Sequence, residues 1–72
     1  MNKDLRIINI KEVEKLTSLK RSTIYHKIKT DDSFPKPVPL TDNRSGASRS
    51  GFVLSEILNW IEERINKRIK NL

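Results

Sequence analysis

The sequence predicts a small, mainly α-helical domain with one β-hairpin, in the order helix, turn, helix, hairpin, helix. Three observations predict this order. Apolar residues recur at helical spacing in two short stretches near the amino terminus and in one longer stretch at the carboxyl terminus. A segment with three prolines, followed by a polar loop, separates the second helical stretch from the third. A chain of 72 residues supports one small core, so we expect residues 1–72 to form a single domain.

The first predicted helix begins after Asn9, which is a suitable N-cap. Glu12, three positions later, could return the hydrogen bond as in a capping box. An apolar stripe at spacings of three follows, formed by Ile10, Val13 and Leu16. Thr17 and Ser18 end the helix. The apolar segment from Leu5 to Ile8 is consistent with an edge strand or an extended lead-in.

The second predicted helix runs from about Arg21 to Lys29 and has two different faces. Ile24 and Ile28 share one face at i and i+4, and Leu19 joins them from the turn. The opposite face carries hydroxyls, an imidazole and an amine without a carboxylate, on Ser22, Thr23, His26 and Lys29. Hydroxyls and amines suit phosphates, and longer side chains can reach base edges. The alternative is an ordinary solvated face of a basic protein.

A hairpin is predicted after the second helix. Three prolines between Phe34 and Leu40 forbid a helix and leave extended backbone. The expected inward side chains are Phe34, Val38 and Leu40. Residues 41–49 form a polar loop, and residues 50–53 can return as the second strand. Arg44 and Arg49 make this loop positive against a single acid, which favours a functional wing over a surface loop without a role.

The third predicted helix is the longest. Ser55 is expected to cap it, and Glu56 lies favourably in its first turn. Its apolar residues recur at helical spacing, with Trp60 on the flank, at Ile57, Leu58, Ile61, Ile65, Ile69 and Leu72. The end of the helix extends past what so small a core can cover. Unless that end is frayed, we expect Ile65 and Ile69 to form a partner interface.

Composition narrows the classes of partner. Lys and Arg number 15 against 9 Asp and Glu, and the net charge of +6 favours an anionic partner such as nucleic acid. The chain has no cysteine, so no disulfide framework or thiolate metal site is expected. No apolar run approaches the ~18 residues of a membrane span, and the amino terminus has no signal-peptide core. We therefore expect a soluble intracellular protein without a membrane partner.

Catalytic and metal sites are not expected. Ser22 and His26 could touch at i and i+4, but no buried acid orients the imidazole and so small a core offers no cleft. A lone histidine without clustered ligands does not build a zinc site. The sequence therefore predicts no enzyme activity, no cofactor and no small-molecule substrate.

The order helix, turn, helix, wing, helix is that of a winged helix-turn-helix. The second helix of such a fold lies in the major groove, and a basic hairpin reaches the backbone or the minor groove. Three segments in this order, LTSLKRSTIYHKIK, FPKPVPL and SEILNWIEERI, resemble the AlpA family of phage and prophage regulators. In that family the run Thr-Gly-Leu-Ser-Arg-Ser-Thr-Ile-Tyr leads to Phe-Pro-Lys-Pro-Val, then a wing, then Trp-Ile. The resemblance covers roughly Ile7 to Arg64.

The resemblance implies a MerR-like or excisionase-like winged-helix fold, three helices plus the wing. It implies a small regulator of integrase genes or an excisionase, cytoplasmic and nucleoid-associated in a bacterial cell. The partner would be double-stranded DNA, with self-association on DNA or an integrase contact in addition. The DNA-facing helix would present Arg21, Ser22, Thr23, Tyr25 and His26. The wing arginine would be Arg44 or Arg49, and the further phosphate contacts would be Lys20, Lys27 and Lys29.

Three departures from the family pattern affect the helices. Ser18 replaces the turn glycine, so that turn is either strained or differently shaped. Lys20 replaces the N-cap serine. This loses about 1 kcal/mol of helix stabilisation by the cap but adds a cation. Asp31 or Asp32 replaces the glycine after the second helix and would bring acids near the expected path of the DNA backbone. The wing is also longer, with Phe52 in place of Trp, so base specificity cannot be carried over.

Two other functions remain open at this point. A protein-interaction module could dock an integrase or another partner through the carboxyl-terminal helix. RNA binding is disfavoured because the sequence offers few aromatic platforms for base stacking. Salt-dependent duplex binding distinguishes DNA binding from the interaction module. Competition with single-stranded RNA tests whether the protein binds RNA.

Overall fold

Three helices and a three-stranded antiparallel sheet make up the fold. The computed structural model of the chain describes residues 5–42 and 49–70, apart from the side chains of Ile69 and Lys70. In chain order the elements are β1 (Ile7–Ile8), α1 (Ile10–Thr17), α2 (Arg21–Thr30), β2 (Val38–Pro39), β3 (Ser50–Val53) and α3 (Leu54–Lys70). This arrangement confirms the predicted winged helix-turn-helix. Over the described residues, no helix has both the length and the apolar character needed to cross a membrane.

The prediction that Asn9 is the N-cap of α1 is confirmed. The Asn9 side chain accepts a hydrogen bond from the Glu12 amide at 2.9 Å, which satisfies one of the free donors of the first turn. At the other end, the Ser18 amide donates to the Glu14 carbonyl at 2.8 Å. Ser18 has φ 61° and ψ 20°, the left-handed conformation that closes many helices. Of the two alternatives for this turn, the structure therefore shows the strained one.

The strain at Ser18 gives a direct prediction. A left-handed conformation costs a residue with a Cβ roughly 1–2 kcal/mol, whereas glycine adopts it freely. Because glycine also has more entropy to lose, we expect Ser18→Gly to raise the free energy of unfolding by only about 0.5–1 kcal/mol. Urea denaturation measures it. The same substitution at Ser22, inside α2, should lower stability, and a Ser18→Gly variant that behaved likewise would contradict this account.

The core lies where the three helices meet one face of the sheet. Its buried side chains are Ile8, Val13, Ile24, Phe34, Phe52, Ile57 and Trp60. Phe34 and Trp60 meet edge to face, with ring centroids 4.9 Å apart and planes at 75°. Such aromatic pairs add about 0.5–1.5 kcal/mol to what burial alone provides. The segment after α2 is therefore fixed to α3 by two large side chains.

The structure corrects several predicted side-chain positions. Trp60, expected on the flank of α3, is in the core with 8% of its surface exposed, whereas Leu58 is 48% exposed. The helix turns the face with Ile57 and Trp60 inward. The other residues expected inward but found largely exposed are Leu16, at 41%, and Leu40, at 49%.

The start of α3 also differs from the prediction. The helix begins at Leu54, directly after the last residue of β3, so Ser55 lies inside its first turn and is not the N-cap. The Leu54 amide donates to the Arg6 carbonyl at 2.8 Å. That bond links the first turn of the helix to the chain just before β1.

The predicted hairpin is confirmed and gains a third strand. The strand order is β1-β3-β2, with Ile8 opposite Phe52 and Val38 opposite Gly51. The Leu40 amide extends the hairpin by donating to the Arg49 carbonyl at 2.8 Å. Gly51 is required at the centre of this sheet because a Cβ there would collide with the Ile7 side chain.

Candidate nucleic-acid interface

The outward face of α2 is formed by four exposed side chains. Ser22, Tyr25, His26 and Lys29 recur at i, i+3, i+4 and i+7, so they lie in one row along the helix. On the opposite side, Ile24 is completely buried. We call this row the reading face. It presents two hydroxyls, an imidazole and an ammonium, and no carboxylate occurs anywhere in α2.

Two predicted residues flank the reading face. Arg21 is exposed, and its guanidinium lies 3.7 Å from the Glu14 carboxylate of α1. Because both side chains are partly exposed to solvent, which screens their charges, this ion pair is weak and a phosphate could replace Glu14. Thr23, predicted on the outward face, is instead half-buried and lies on the side of the helix away from Tyr25.

Lys27 is placed differently from the other predicted phosphate contacts. Its ammonium lies 3.9 Å from the Asp31 carboxylate and 5.8 Å from the centre of the Trp60 ring. Only 30% of its side chain is exposed. Lys27 therefore faces α3 and connects α2 to the core instead of joining the reading face.

The described part of the wing contacts the helix-turn-helix, because β3 packs against α1. Arg49 is exposed immediately before β3, and its carbonyl accepts the hydrogen bond from the Leu40 amide. Its guanidinium is thus attached to an ordered part of the hairpin. Arg44, the other predicted wing arginine, lies outside the described residues.

A comparison with known families agrees with this geometry. The family model described as prophage CP4-57 regulatory protein (AlpA) matches residues 6–65. The chain belongs to the AlpA family. No curated protein and no solved structure matches it. The matched span contains the whole helix-turn-helix, the wing and most of α3, and it makes this protein a member of a phage regulatory family.

The AlpA helix-turn-helix lacks a capping side chain at α2 in this chain. Lys20 occupies the N-cap with extended dihedrals, φ −73° and ψ 154°, and within the described residues no side chain bonds the free amides of the first turn. The departure at Lys20 noted from sequence therefore leaves the start of α2 without a side-chain acceptor.

We expect Lys20→Ser to change stability and DNA affinity in opposite directions. A serine N-cap should stabilise the helix by about 1 kcal/mol, whereas loss of the ammonium should remove one phosphate contact. Thermal denaturation measures the first effect. The slope of log affinity against log salt measures the second and should decrease by about 1. An unchanged slope would exclude Lys20 from the phosphate contacts.

The end of α2 has a feature that the sequence analysis missed. The Lys36 ammonium donates to the Ile28 carbonyl at 2.6 Å and to the Asp31 carbonyl at 3.3 Å. A cation at a helix carboxyl terminus complements the helix dipole and satisfies free carbonyls. Lys36 therefore holds α2 against the segment that leads to the wing. Lys36 lies between two prolines in the sequence, and nothing in that local pattern predicts a contact with the end of α2.

Asp31 is engaged locally at the same helix end. Its carboxylate accepts the Ser33 hydroxyl at 2.7 Å and the Ser33 amide at 2.9 Å. These hydrogen bonds, helped by the charges of Lys27 and Arg64, hold the pKa of the Asp31 carboxyl below its ordinary value of 3.8. The stability that this group contributes is therefore present above pH 3.8 and is lost as the pH falls through its lowered pKa.

Side chains suited to metal binding are not gathered anywhere in the described residues, where no three His, Asp or Glu side chains cluster. The exposed side chains described above are suited to anions and to hydrogen-bonding groups.

Proposed function

We propose that this AlpA-family protein binds double-stranded DNA in a sequence-specific manner. Acting without a cofactor or catalysis in the bacterial cytoplasm, it would regulate genes of a phage or another mobile element, or act as an excisionase. The observation that carries this proposal is the reading face. It is a carboxylate-free row on the second helix of a helix-turn-helix, the element that enters the major groove in such proteins.

The side chains of the reading face would make two kinds of DNA contact, to bases and to phosphates. Ser22 and His26, one turn apart in the row, would hydrogen-bond base edges, and Tyr25 would contact a base or the sugar beside it. Lys29 would meet a phosphate at one end of the row, and Lys20 and Arg21 at the other. Thr23, half-buried, would contribute its hydroxyl from the flank.

Lys27 is the one cation of α2 predicted to contact a phosphate for which we propose no DNA contact. Its ammonium already lies between Asp31 and the Trp60 ring, so a DNA contact would require it to leave both. We propose that it fixes the orientation of α2 on α3 instead. On the wing, Arg49 would contact the flanking backbone or minor groove, and we retain Arg44 as a second wing cation on sequence grounds.

The experiment is to select duplexes from a random pool and to measure their affinity against salt concentration. We expect a linear fall of log affinity with log salt. Lys29→Gln and Arg49→Gln should each reduce the slope by about 1. Lys67→Gln, which removes an exposed cation of α3, is the matched control and should leave the slope unchanged.

Two results would contradict this function. The first is equal competition by single-stranded RNA, which would indicate RNA binding. The second is binding without salt dependence, because phosphate contacts by three or more cations necessarily release counterions.

A further inference from the structure

A groove between the end of α1 and the second half of α3 exposes aliphatic side chains. It has a volume of about 350 Å³, with Leu16, Ile61 and Ile65 among its lining residues. Leu16 is 41% exposed and Ile65 is 44% exposed, and both line the groove together with the core residue Trp60. None of these residues belongs to α2 or the wing. The groove is therefore separate from the surface that we assign to DNA.

The same apolar surface continues along the domain. A second groove of about 310 Å³ shares Leu16 and adds Ile8 and Leu54 to the apolar lining. Together the two grooves, which we call the α1–α3 groove, form an aliphatic strip between two helices. This shape suits the apolar stripe of a third helix laid alongside them.

The charges around this strip are mostly positive. Arg64 and Arg68 line its first part, and Lys15 lines the second with Glu12 as the acid among the described lining residues. The Arg64 guanidinium lies 6.0 Å from the centre of the Trp60 ring, which fixes it at the edge of the groove. A docking segment would therefore gain most from carboxylates beside its apolar stripe.

We propose that the α1–α3 groove binds an acidic amphipathic helix of a partner protein. Leu16, Ile61 and Ile65 receive the aliphatic stripe of that helix, and Arg64 and Arg68 pair with carboxylates on its flank. A second copy of this chain fits less well, because each copy carries a net charge of +6 and would bring its own cations to the same rim. The partner and DNA bind to different faces, so both can be held at once.

The test uses two synthetic helical peptides with the same leucine stripe at i, i+3, i+4 and i+7. One carries glutamate at the flanking positions and the other carries lysine. Trp60 is the only tryptophan and lines the groove, so its fluorescence reports occupancy. We expect the acidic peptide to bind and the basic peptide to bind about tenfold more weakly or worse. Arg68→Glu should narrow or reverse that preference.

The aliphatic contribution has a matched control on the wing. Leu16→Ser and Ile65→Ser, at exposed positions, should each weaken binding of the acidic peptide about tenfold. Leu40→Ser replaces a side chain that is 49% exposed but lies on the wing, outside the groove, and it should leave the affinity for the peptide unchanged. The variants are checked for folding by circular dichroism. Equal weakening by Leu40→Ser, or equal affinity for both peptides, would overturn the proposal.

Other occupants would be revealed by two parallel measurements. Sedimentation of the free protein over a concentration series would show self-association that Ile65→Ser abolishes, if a second copy fills the groove. If a membrane surface occupies the groove instead, vesicles with anionic lipid would quench Trp60 fluorescence more than the acidic peptide does. Either result would overturn the proposal. Ser22→Ala, on the reading face, should leave peptide binding intact and so separates this inference from DNA binding.

Discussion

The double variant Ser22→Ala/His26→Ala should lose most of its preference for the selected DNA site. Both side chains are exposed on the reading face, one turn apart on α2. A good base contact is worth about 1–3 kcal/mol of discrimination, so we expect the loss of both contacts to remove about 2–6 kcal/mol. Binding to unrelated duplexes should persist, because the flanking cations remain. Fluorescence anisotropy with the selected and a scrambled duplex measures both.

The matched control for this variant is Asn59→Ala/Asn66→Ala. It also replaces two exposed polar residues of one helix, but on α3, away from the reading face. Its discrimination between the two duplexes should equal that of the wild type. If the α2 variant stays folded by circular dichroism and discriminates as well as this control, α2 does not read the bases.

Phe34→Ala should have the largest effect on stability. The ring is 1% exposed and packs edge to face on Trp60, so truncation creates a cavity between the wing segment and α3. Replacing a buried phenylalanine by alanine typically lowers the free energy of unfolding by about 3–5 kcal/mol. For a domain of this size that is a large share of the roughly 4–11 kcal/mol of total stability. Urea unfolding followed through Trp60 fluorescence measures the loss.

Leu40→Ala provides the comparison within the same extended segment. Leu40 is 49% exposed, so we expect its truncation to cost under about 1 kcal/mol. Equal shifts of the unfolding midpoint for the two variants would show that Phe34 does not anchor the segment to α3.

Local signals predicted most of the secondary structure. Asn9 three residues before Glu12 located the start of α1, and the prolines of the segment after α2 excluded a helix there. The absence of glycine at Ser18 indicated a strained or altered turn, and the left-handed backbone shows strain. These features depend on a few neighbouring residues, which is why a single sequence was sufficient.

The orientation of α3 could not be predicted from periodicity. Ile57 and Leu58 are adjacent aliphatic residues, and each continues into a helical stripe. Only the packing against β3 and α2 decides that Ile57 is buried and Leu58 exposed. Trp60 turns inward with Ile57 because Phe34 supplies the opposing ring, a contact between residues far apart in the chain.

The candidate site was predictable in part for the same reason. The outward position of Ser22, His26 and Lys29 follows from the burial of Ile24, which the spacing indicated. The contacts of Lys27 with Trp60 and of Lys36 with the end of α2 require the tertiary fold. The exposure of Ile65 agrees with the predicted excess of apolar surface on α3, while the Ile69 side chain lies outside the described residues. That Ile65 and Ile69 bind a partner, and that residues 1–72 form one domain, stay predictions.

Backbone NMR during titration with the selected duplex tests the central claim most directly. We expect the amides from Lys20 to Lys29 and those around Arg49 to shift and saturate together at one protein per site. Amides from Glu62 to Arg68, on the far part of α3, should stay unchanged. Shifts centred on α3 or the α1–α3 groove, with α2 unaffected, would contradict the assignment of α2 as the DNA-reading helix.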